Sequence, residues 1–227
     1  EVRGLKVTVS KIPIPTAYGP AFEGERVRKE DLAVEAGGSR TDSCELTVGR
    51  PLGEVEDGRV EVVGKDLDEI PDGAQIPLAV LVEVAGREFH EEFEPILERQ
   101  VHNYVNYING VMHTGQRDIV WLRVSKKAKE KGFRLKHLGV VIHAKYHEVF
   151  SAIVDKVQVK IFTDEEKVRV VLSRARGIWS RRDDRLAGMT DEETDTFYSC
   201  TLCQSFAPSH VCVVTPERTG LCGAFSW

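Results

Sequence analysis

Pro77-Leu-Ala-Val-Leu-Val-Glu-Val84 is the stretch that decides the fold, because it is almost entirely apolar. An apolar run of this length is typical of a β-strand that is covered on both faces, and the turn residues Pro71-Asp-Gly73 precede it. Upstream, apolar and polar residues alternate in two segments, as expected for strands with one buried face: Leu5, Val7 and Val9, and Cys44, Leu46 and Val48. Residues 1–90 are therefore predicted to be rich in β-strands.

Two details of this β-rich part carry specific predictions. Asp57-Gly58 lies between alternating runs, and both residues tolerate the positive φ of a tight turn, so the dipeptide predicts a β-hairpin. Cys44 lies on the apolar side of its strand. It is predicted to be a small core residue rather than a metal ligand.

Two amphipathic helices are predicted in the second part of the chain. Near Phe93 the hydrophobic period changes from two to 3.6, and Pro95 suits a first helical turn. The last helix is predicted to open with a capping box, Thr163-Asp-Glu-Glu166. Its arginines are expected to lie outside the apolar stripe: Arg169, Arg174, Arg176, Arg181 and Arg182.

Between these helices, strands and helices are predicted to alternate from Asp118 onwards. A buried strand covers residues 119–124, a short basic helix begins at Ser125, and an alternating strand covers residues 157–161. The predicted fold class is therefore α+β. A β-rich N-terminal part is followed by a mixed strand and helix part, and the chain ends in a cysteine-rich metal-binding segment.

His143 and His147 are four residues apart, so on a helix they share one face. This spacing suits a metal pair, but no Glu follows the first histidine to make a HExxH motif. A structural role is therefore predicted for both histidines.

The composition is ordinary for a soluble protein, with 227 residues, 41% of them hydrophobic and 30% charged. No signal peptide or apolar run long enough to span a membrane is visible, so a cytoplasmic protein is expected. The sequence begins at Glu1 and its first methionine is Met112, which favours a piece of a longer protein. Residues 1–196 are predicted to form one α+β domain, and residues 197–227 to begin a metal-cluster domain.

The net charge of −5 is distributed unevenly along the chain. Residues 1–110 carry a net charge of −10 and residues 111–227 carry +5. The basic half suits an anionic partner such as a phosphate-bearing cofactor. The alternative interpretation is a solvated surface whose charged side chains form salt bridges.

Four of the five cysteines lie near the end of the chain, at positions 200, 203, 212 and 222. Four thiolates complete the ligand set of a tetrahedral zinc or of a [4Fe–4S] cluster. The spacing leaves both open, because only one CxxC pair is present and the pattern matches no common ferredoxin. Unrelated buried cysteines remain a further interpretation, and a disulfide is disfavoured because nothing marks the chain as secreted.

The sequence around these cysteines closely resembles the metal-cluster segment of the acetyl-CoA synthase family. The matching stretch extends from Tyr198-Ser-Cys-Thr-Leu-Cys-Gln-Ser-Phe206 to Leu221-Cys-Gly-Ala-Phe-Ser-Trp227. That family comprises the β subunits of the CO dehydrogenase/acetyl-CoA synthase complex. The resemblance extends back through Gly115-Gln-Arg-Asp-Ile-Val-Trp-Leu-Arg-Val124 and Lys136-His-Leu-Gly-Val-Val-Ile-His-Ala-Lys145. It is weakest before about Gly86.

The resemblance implies metal ligands. In that family the four cysteines hold a [4Fe–4S] cluster, and the matching positions here are Cys200, Cys203, Cys212 and Cys222. Cys203 would also bridge to a proximal nickel, which Phe206 would shield. The family holds a distal nickel through a Cys-Gly-Cys motif that is absent from this sequence, so this piece alone is expected to be inactive.

The resemblance also implies an activity and partners. The family joins a methyl group from a corrinoid iron–sulfur protein, CO from CO dehydrogenase, and coenzyme A (CoA) into acetyl-CoA. Arginine binds phosphate oxygens in pairs, so Arg123 is the first candidate to bind CoA, unless it pairs with an acidic neighbour. Arg117 and Lys136 follow because they lie in the matched stretches.

Neither nucleic acid nor a membrane is an expected partner. The alternative function is a binding or electron-transfer module that is stabilised by zinc or an iron–sulfur cluster.

Overall fold

The computed structural model describes residues 27, 29–38, 40–109, 120–188, 198–200 and 212–214. Its first part contains five strands: β1 (Leu32–Gly37), β2 (Ser43–Gly49), β3 (Val60–Val63), β4 (Ala74–Ile76) and β5 (Leu78–Ala85). Short 3₁₀ turns accompany these strands at Lys29–Asp31 and Leu67–Glu69. The predicted β-rich N-terminal part is thus confirmed over the described residues, whereas the strand predicted around Leu5 lies outside them.

Helices and strands alternate in the second part. After a 3₁₀ turn at Glu91–Phe93 come α1 (Glu94–Asn109), β6 (Trp121–Ser125), α2 (Lys126–Glu130), α3 (Leu135–Val149), β7 (Lys156–Phe162), α4 (Glu165–Gly188), β8 (Tyr198–Cys200) and β9 (Cys212–Val214). The chain is therefore mixed α+β, as predicted. Among the described helices, none combines the length and apolar character needed to cross a bilayer.

The seven strands from β1 to β7 form two sheets. The three-stranded sheet has the order β4-β1-β6 and the four-stranded sheet the order β2-β5-β7-β3. β1 pairs in parallel with β4 and antiparallel with β6, and β5 pairs in parallel with β2 and antiparallel with β7. A separate antiparallel pair consists of β8 and β9.

The segments β1–β2 and β4–β5 run side by side through both sheets. Along these segments Ala36 pairs with Ile76, and the next parallel pair is Ser43 with Leu78. Between these two pairs the β1–β2 segment has several residues, whereas the β4–β5 segment has only Pro77. The extra residues turn at two glycines whose φ angles are positive, a conformation that glycine adopts without steric cost: Gly37 (73°) and Gly38 (83°). At this turn both segments leave the three-stranded sheet and continue into the four-stranded sheet.

The core lies on both faces of β5, as the opening apolar stretch predicts. Alternate residues of β5 belong to two different hydrophobic clusters: Leu78, Val80, Val82 and Val84 to the larger, and Ala79 and Leu81 to the smaller. The larger cluster contains apolar residues of α1 and α3, and the smaller contains those of α4. Cys44 is fully buried in the smaller cluster, which confirms its prediction as a core residue.

Two local predictions were wrong. Asp57-Gly58 does form a turn, with Gly58 at φ 77°, but the strands on its two sides do not pair, because β2 pairs with β5 and β3 with β7. α4 is not capped by Thr163, whose hydroxyl donates to the Lys65 carbonyl (2.8 Å). Asp164 takes that role, since its carboxylate accepts from the backbone N–H of Lys167 (3.0 Å).

Gly139 and Gly177 provide a test of helix packing. Both lie inside helices, but a Cβ on Gly139 would lie 2.4 Å from Val60 Cγ1, whereas the nearest atom at Gly177 is 3.9 Å away. Gly139→Ala should lower the free energy of unfolding by about 1–2 kcal/mol, because the clash outweighs the gain in helix propensity. Gly177→Ala should raise it by about 0.5–1 kcal/mol. Urea denaturation of the two variants measures both changes, and shifts of the same sign would contradict this packing.

Candidate functional site

The cysteine segment contains an antiparallel pair of short strands. β8 and β9 pair through three positions, Tyr198 with Val214, Ser199 with Val213, and Cys200 with Cys212. Partners in an antiparallel pair have Cα atoms about 4.5–5.5 Å apart. The first and third cysteines of the segment therefore occupy facing backbone positions, although they are twelve positions apart in sequence.

The remaining predicted residues of this segment, Cys203, Phe206 and Cys222, lie outside the described residues. Sequence reasoning did not predict β8 and β9. The available signal was the β-branched run after Cys212, Val213-Val-Thr215, which is typical of a strand. Its register with Tyr198–Cys200 is a tertiary property that the run does not specify.

Arg123 lies on β6, at the edge of the three-stranded sheet, directly opposite Glu35 on β1. Its Nε is 3.7 Å from Glu35 Oε2, and the guanidinium carbon lies 5.8 Å from the centre of the Trp121 ring. The strand is only half-buried, since Leu122 and Val124 are buried and Trp121 and Arg123 are not. The buried strand predicted over residues 119–124 is thus found at Trp121–Ser125, but it is buried on one face only, and residue 119 lies outside the described residues.

Glu35 also binds a second arginine. Arg40 Nη2 donates to Glu35 Oε1 at 3.0 Å, and the Glu35 side chain is only 5% exposed, against 24% for Arg123 and 64% for Arg40. One carboxylate thus faces two guanidinium groups. The acidic neighbour anticipated for Arg123 is therefore present, and a second arginine shares it.

The other residues predicted to bind CoA do not lie on the same strand or sheet as Arg123 in the part of the chain that the structure describes. Lys136 lies in the first turn of α3, which packs on β7 and β3 of the four-stranded sheet, whereas Arg123 belongs to the three-stranded sheet. Arg117 lies outside the described residues.

The histidines of α3 fall into two environments. His137 is buried, and its Nδ1 accepts from the Arg134 backbone N–H (2.8 Å) at the helix start. Burial lowers its pKa, which favours the neutral ring. His143 and His147 are half-buried, and the Nε2 atoms of both lie beside Asp57 Oδ1, at 3.0 and 2.9 Å.

A buried polar network joins α1, β2 and α4. Glu98 of α1 accepts three hydrogen bonds, from Trp179 Nε1 (2.7 Å), the Thr47 backbone N–H (3.0 Å) and Arg182 Nη1 (3.0 Å). Arg182 Nη2 donates to Glu94 Oε2 (2.9 Å) and the Thr47 carbonyl (3.1 Å). These five residues therefore form one hydrogen-bonded network, in which the side chains of Arg182 and Glu94 keep 10% and 15% of their surface exposed.

The charges of this network depend on each other. Burial alone would lower the pKa of Arg182, but the carboxylates of Glu98 and Glu94 outweigh that effect and raise it. Burial raises the pKa of Glu98, and Arg182 opposes this by stabilising the ionised carboxylate. Arg182 was expected to lie outside the apolar stripe of its helix with the other arginines, which was wrong: its side chain is only 10% exposed.

α4 is the last described helix before the cysteine segment, so this network anchors the helix from which the segment continues. The fold and the facing cysteine positions define an α+β protein that continues into a cysteine-bearing strand pair. A family model described as the CO dehydrogenase/acetyl-CoA synthase complex beta subunit matches residues 14–168, and a model for the C-terminal part of the ACS/CODH beta subunit matches residues 179–227. The chain belongs to the family of CO dehydrogenase/acetyl-CoA synthase complex beta subunits.

Curated relatives agree with this assignment. The chain is 56% identical over all of its 227 residues to the carbon monoxide dehydrogenase/acetyl-CoA synthase subunit alpha of Moorella thermoacetica, covering 31% of that protein. It is 46% identical over 94% of its length to the acetyl-CoA decarbonylase/synthase complex subunit beta of Methanopyrus kandleri, covering 46% of it. Subunit beta 1 of the same complex in Methanocaldococcus jannaschii is 44% identical over the whole chain, which covers 30% of it. The chain thus spans less than half the length of these relatives.

Arg182→Met tests the buried network. The substitution leaves the Glu98 carboxylate buried without its cation, and we expect the free energy of unfolding to fall by about 3–5 kcal/mol. Arg181→Met, at the adjacent exposed position, should leave it almost unchanged. Adding Glu98→Gln to Arg182→Met should recover part of the loss, because the amide is cheaper to bury. Equal midpoints for the Arg181 and Arg182 variants in urea denaturation would contradict the assigned network.

Proposed function

We propose that this chain is the part of an acetyl-CoA synthase that carries the thiolate ligands of its metal cluster. The whole enzyme joins a methyl group, CO and CoA into acetyl-CoA. The observation that carries the proposal is the family match over residues 14–168 and 179–227, because the second of these matches contains all four clustered cysteines. The relatives are named as subunits of the complex that performs this chemistry.

The cluster ligands are assigned to Cys200, Cys203, Cys212 and Cys222. Four thiolates suit a [4Fe–4S] cluster, and the soft sulfur donor of Cys203 suits a nickel ion next to it. The facing positions of Cys200 and Cys212 in the β8–β9 pair support the assignment, since one metal cluster requires its ligands to converge. When bound, the nickel–iron–sulfur group supplies the centre at which the carbon fragments are joined.

Cys203 and Phe206 have additional roles in this proposal. Cys203 would supply a thiolate to a nickel ion as well as to the cluster, and Phe206, three residues later in the sequence, would shield that nickel from small ligands. The distal nickel requires ligands beyond these four cysteines.

CoA is proposed to bind beside Arg123. Two guanidinium groups share the single carboxylate of Glu35, and the Arg123 side chain is 24% exposed on the edge strand. A phosphate of CoA can accept paired hydrogen bonds from such a group. Arg117 and Lys136 are the further candidates, proposed on their place in the matched stretches of sequence alone.

The proposed protein partners supply the other two fragments. A corrinoid iron–sulfur protein would deliver the methyl group, and the CO dehydrogenase subunit would deliver CO. The names of the relatives, which include carbon monoxide dehydrogenase, support the second of these partners.

Iron content tests the cluster. Anaerobic reconstitution should give a brown protein with about four irons per chain. Cys212→Ser should lose most of this iron, whereas Cys44→Ala, which removes a buried cysteine of the core, should keep it. Stoichiometric zinc with no uptake of iron would reject the cluster and support the alternative of a zinc-stapled binding module.

Titration calorimetry with CoA and dephospho-CoA tests the role of Arg123. Arg123→Ala should weaken CoA binding by about 1.5–3 kcal/mol, the scale of a lost hydrogen bond to a charged group. Glu35→Gln should strengthen it, because the carboxylate that competes with phosphate for Arg123 is gone.

Arg59 provides the matched control for this titration. Its guanidinium pairs with Glu56 and Glu61, each at 3.3 Å, before and within β3, so Arg59→Ala should leave CoA affinity unchanged. Unchanged affinity in Arg123→Ala would remove Arg123 from the CoA site. Absence of binding by the folded wild-type chain would contradict a CoA site within it.

A further inference from the structure

Asp57, His143 and His147 converge on one point of the surface, away from the cysteine segment in sequence. One ligand atom from each, Asp57 Oδ1 and the two Nε2 atoms, lies within 4.8 Å of the others. We propose that these three side chains form a second metal site, which binds a divalent transition-metal ion of the zinc type. This site is independent of the cysteine cluster and of the function proposed above.

The histidines are arranged to bind one ion. His143 and His147 are four residues apart on α3, so they project from successive turns of one helix face, and their ring centres are 4.6 Å apart. Both rings direct Nε2 towards the same oxygen, Asp57 Oδ1. The two nitrogens therefore already point to one position, and little side-chain freedom would be lost on binding.

The carboxylate is held in place by the backbone. Asp57 Oδ1 accepts from the Val157 N–H of β7 (2.9 Å), and Gly58 follows with a positive φ of 77°. A Cβ built at Gly58 would lie 3.7 Å from His143 Nε2, an ordinary contact distance, so this turn runs directly beside the cluster. Burial alone would raise the pKa of Asp57, but the Val157 N–H and the two imidazoles outweigh it and lower the pKa, which keeps the carboxylate ionised.

Two of the three distances between ligand atoms are close to those around a tetrahedral ion. Zinc binds imidazole nitrogen and carboxylate oxygen at about 2.0–2.2 Å, which places neighbouring ligand atoms about 3.4 Å apart. The Nε2–Oδ1 separations of 2.9 and 3.0 Å need to open by only about 0.5 Å. Two imidazoles and one carboxylate are a donor set that zinc and cobalt accept, whereas magnesium and calcium prefer oxygen alone.

The fourth coordination position would be open to water. The side chains of Asp57, His143 and His147 are 42%, 28% and 31% exposed, so an ion can enter without unfolding the protein. A bound ion would clamp the turn before β3 to α3. The same contacts also form a simple hydrogen-bonded triad, so the experiment must separate metal binding from structural support.

Glutamine substitutions make this separation. In His143→Gln and His147→Gln the side-chain amide can still donate to Asp57, but it is a poor ligand for zinc or cobalt. His90→Gln is the matched control, because His90 is exposed and belongs to a different part of the chain. All variants should melt at the wild-type temperature in the absence of metal.

Anaerobic titration of the full chain with Co²⁺, followed by absorption and equilibrium dialysis, tests the proposal. Wild type should bind one more cobalt ion per chain than either α3 variant. The absorption spectrum of this additional ion should lack thiolate-to-cobalt charge transfer. Each α3 variant should bind this ion at least about tenfold more weakly, since even loss of a group that supports a ligand costs tenfold or more. His90→Gln should bind it as wild type does.

Zn²⁺ should raise the melting temperature of wild type and of His90→Gln by more than that of the two α3 variants, because an ion bound only to the native state stabilises it. Equal cobalt stoichiometry and affinity in wild type and both α3 variants would overturn the proposal. A lost spectrum with thiolate character would also overturn it, because the ion would then belong to the cysteine segment.

Discussion

Glu98 is a carboxylate in the interior, and the described part of the fold depends on how its charge is satisfied. Its three hydrogen-bond donors come from β2 and α4, so the carboxylate of α1 connects a strand and a helix that are distant in sequence. Burying such a charge is unfavourable unless donors and a cation accompany it. The arrangement therefore specifies the position of α4 closely, since Arg182 has to reach both Glu94 and Glu98.

The second constraint is the pair of segments that both sheets share. β1–β2 and β4–β5 stay side by side across the break at Gly37 and Gly38, so the three-stranded and four-stranded sheets are covalently continuous. This continuity leaves β6 on the edge of the smaller sheet, where Arg123 faces Glu35. Side chains alternate between the two faces of a strand, so Leu122 and Val124 are buried on one face of β6 whereas Trp121 and Arg123 lie on the other face and are partly exposed.

Candidate metal ligands concentrate in two regions of the chain, and these regions differ in how far apart their ligands lie in the sequence. The cysteines are so dense in sequence that their spacing alone indicates a thiolate metal site. Asp57 and the two α3 histidines are separated by more than 80 residues, so only the packing of α3 against β3 and β7 unites them. The spacing of His143 and His147 alone favoured a structural role, because no Glu follows His143 to make a HExxH motif.

Local patterns in the sequence determined the α+β class, the strand β5 with two buried faces, the amphipathic α1, the Ser125 cap of α2 and the core position of Cys44. These properties follow from side-chain periodicity and local hydrogen bonding, which neighbouring residues specify. Tertiary structure alone decided that Asp57-Gly58 joins strands that do not pair, that Arg182 is buried, and that Cys200 faces Cys212. Each of these depends on contacts between residues far apart in the chain, and neither hydrophobic period nor charge specifies which distant partner a residue meets.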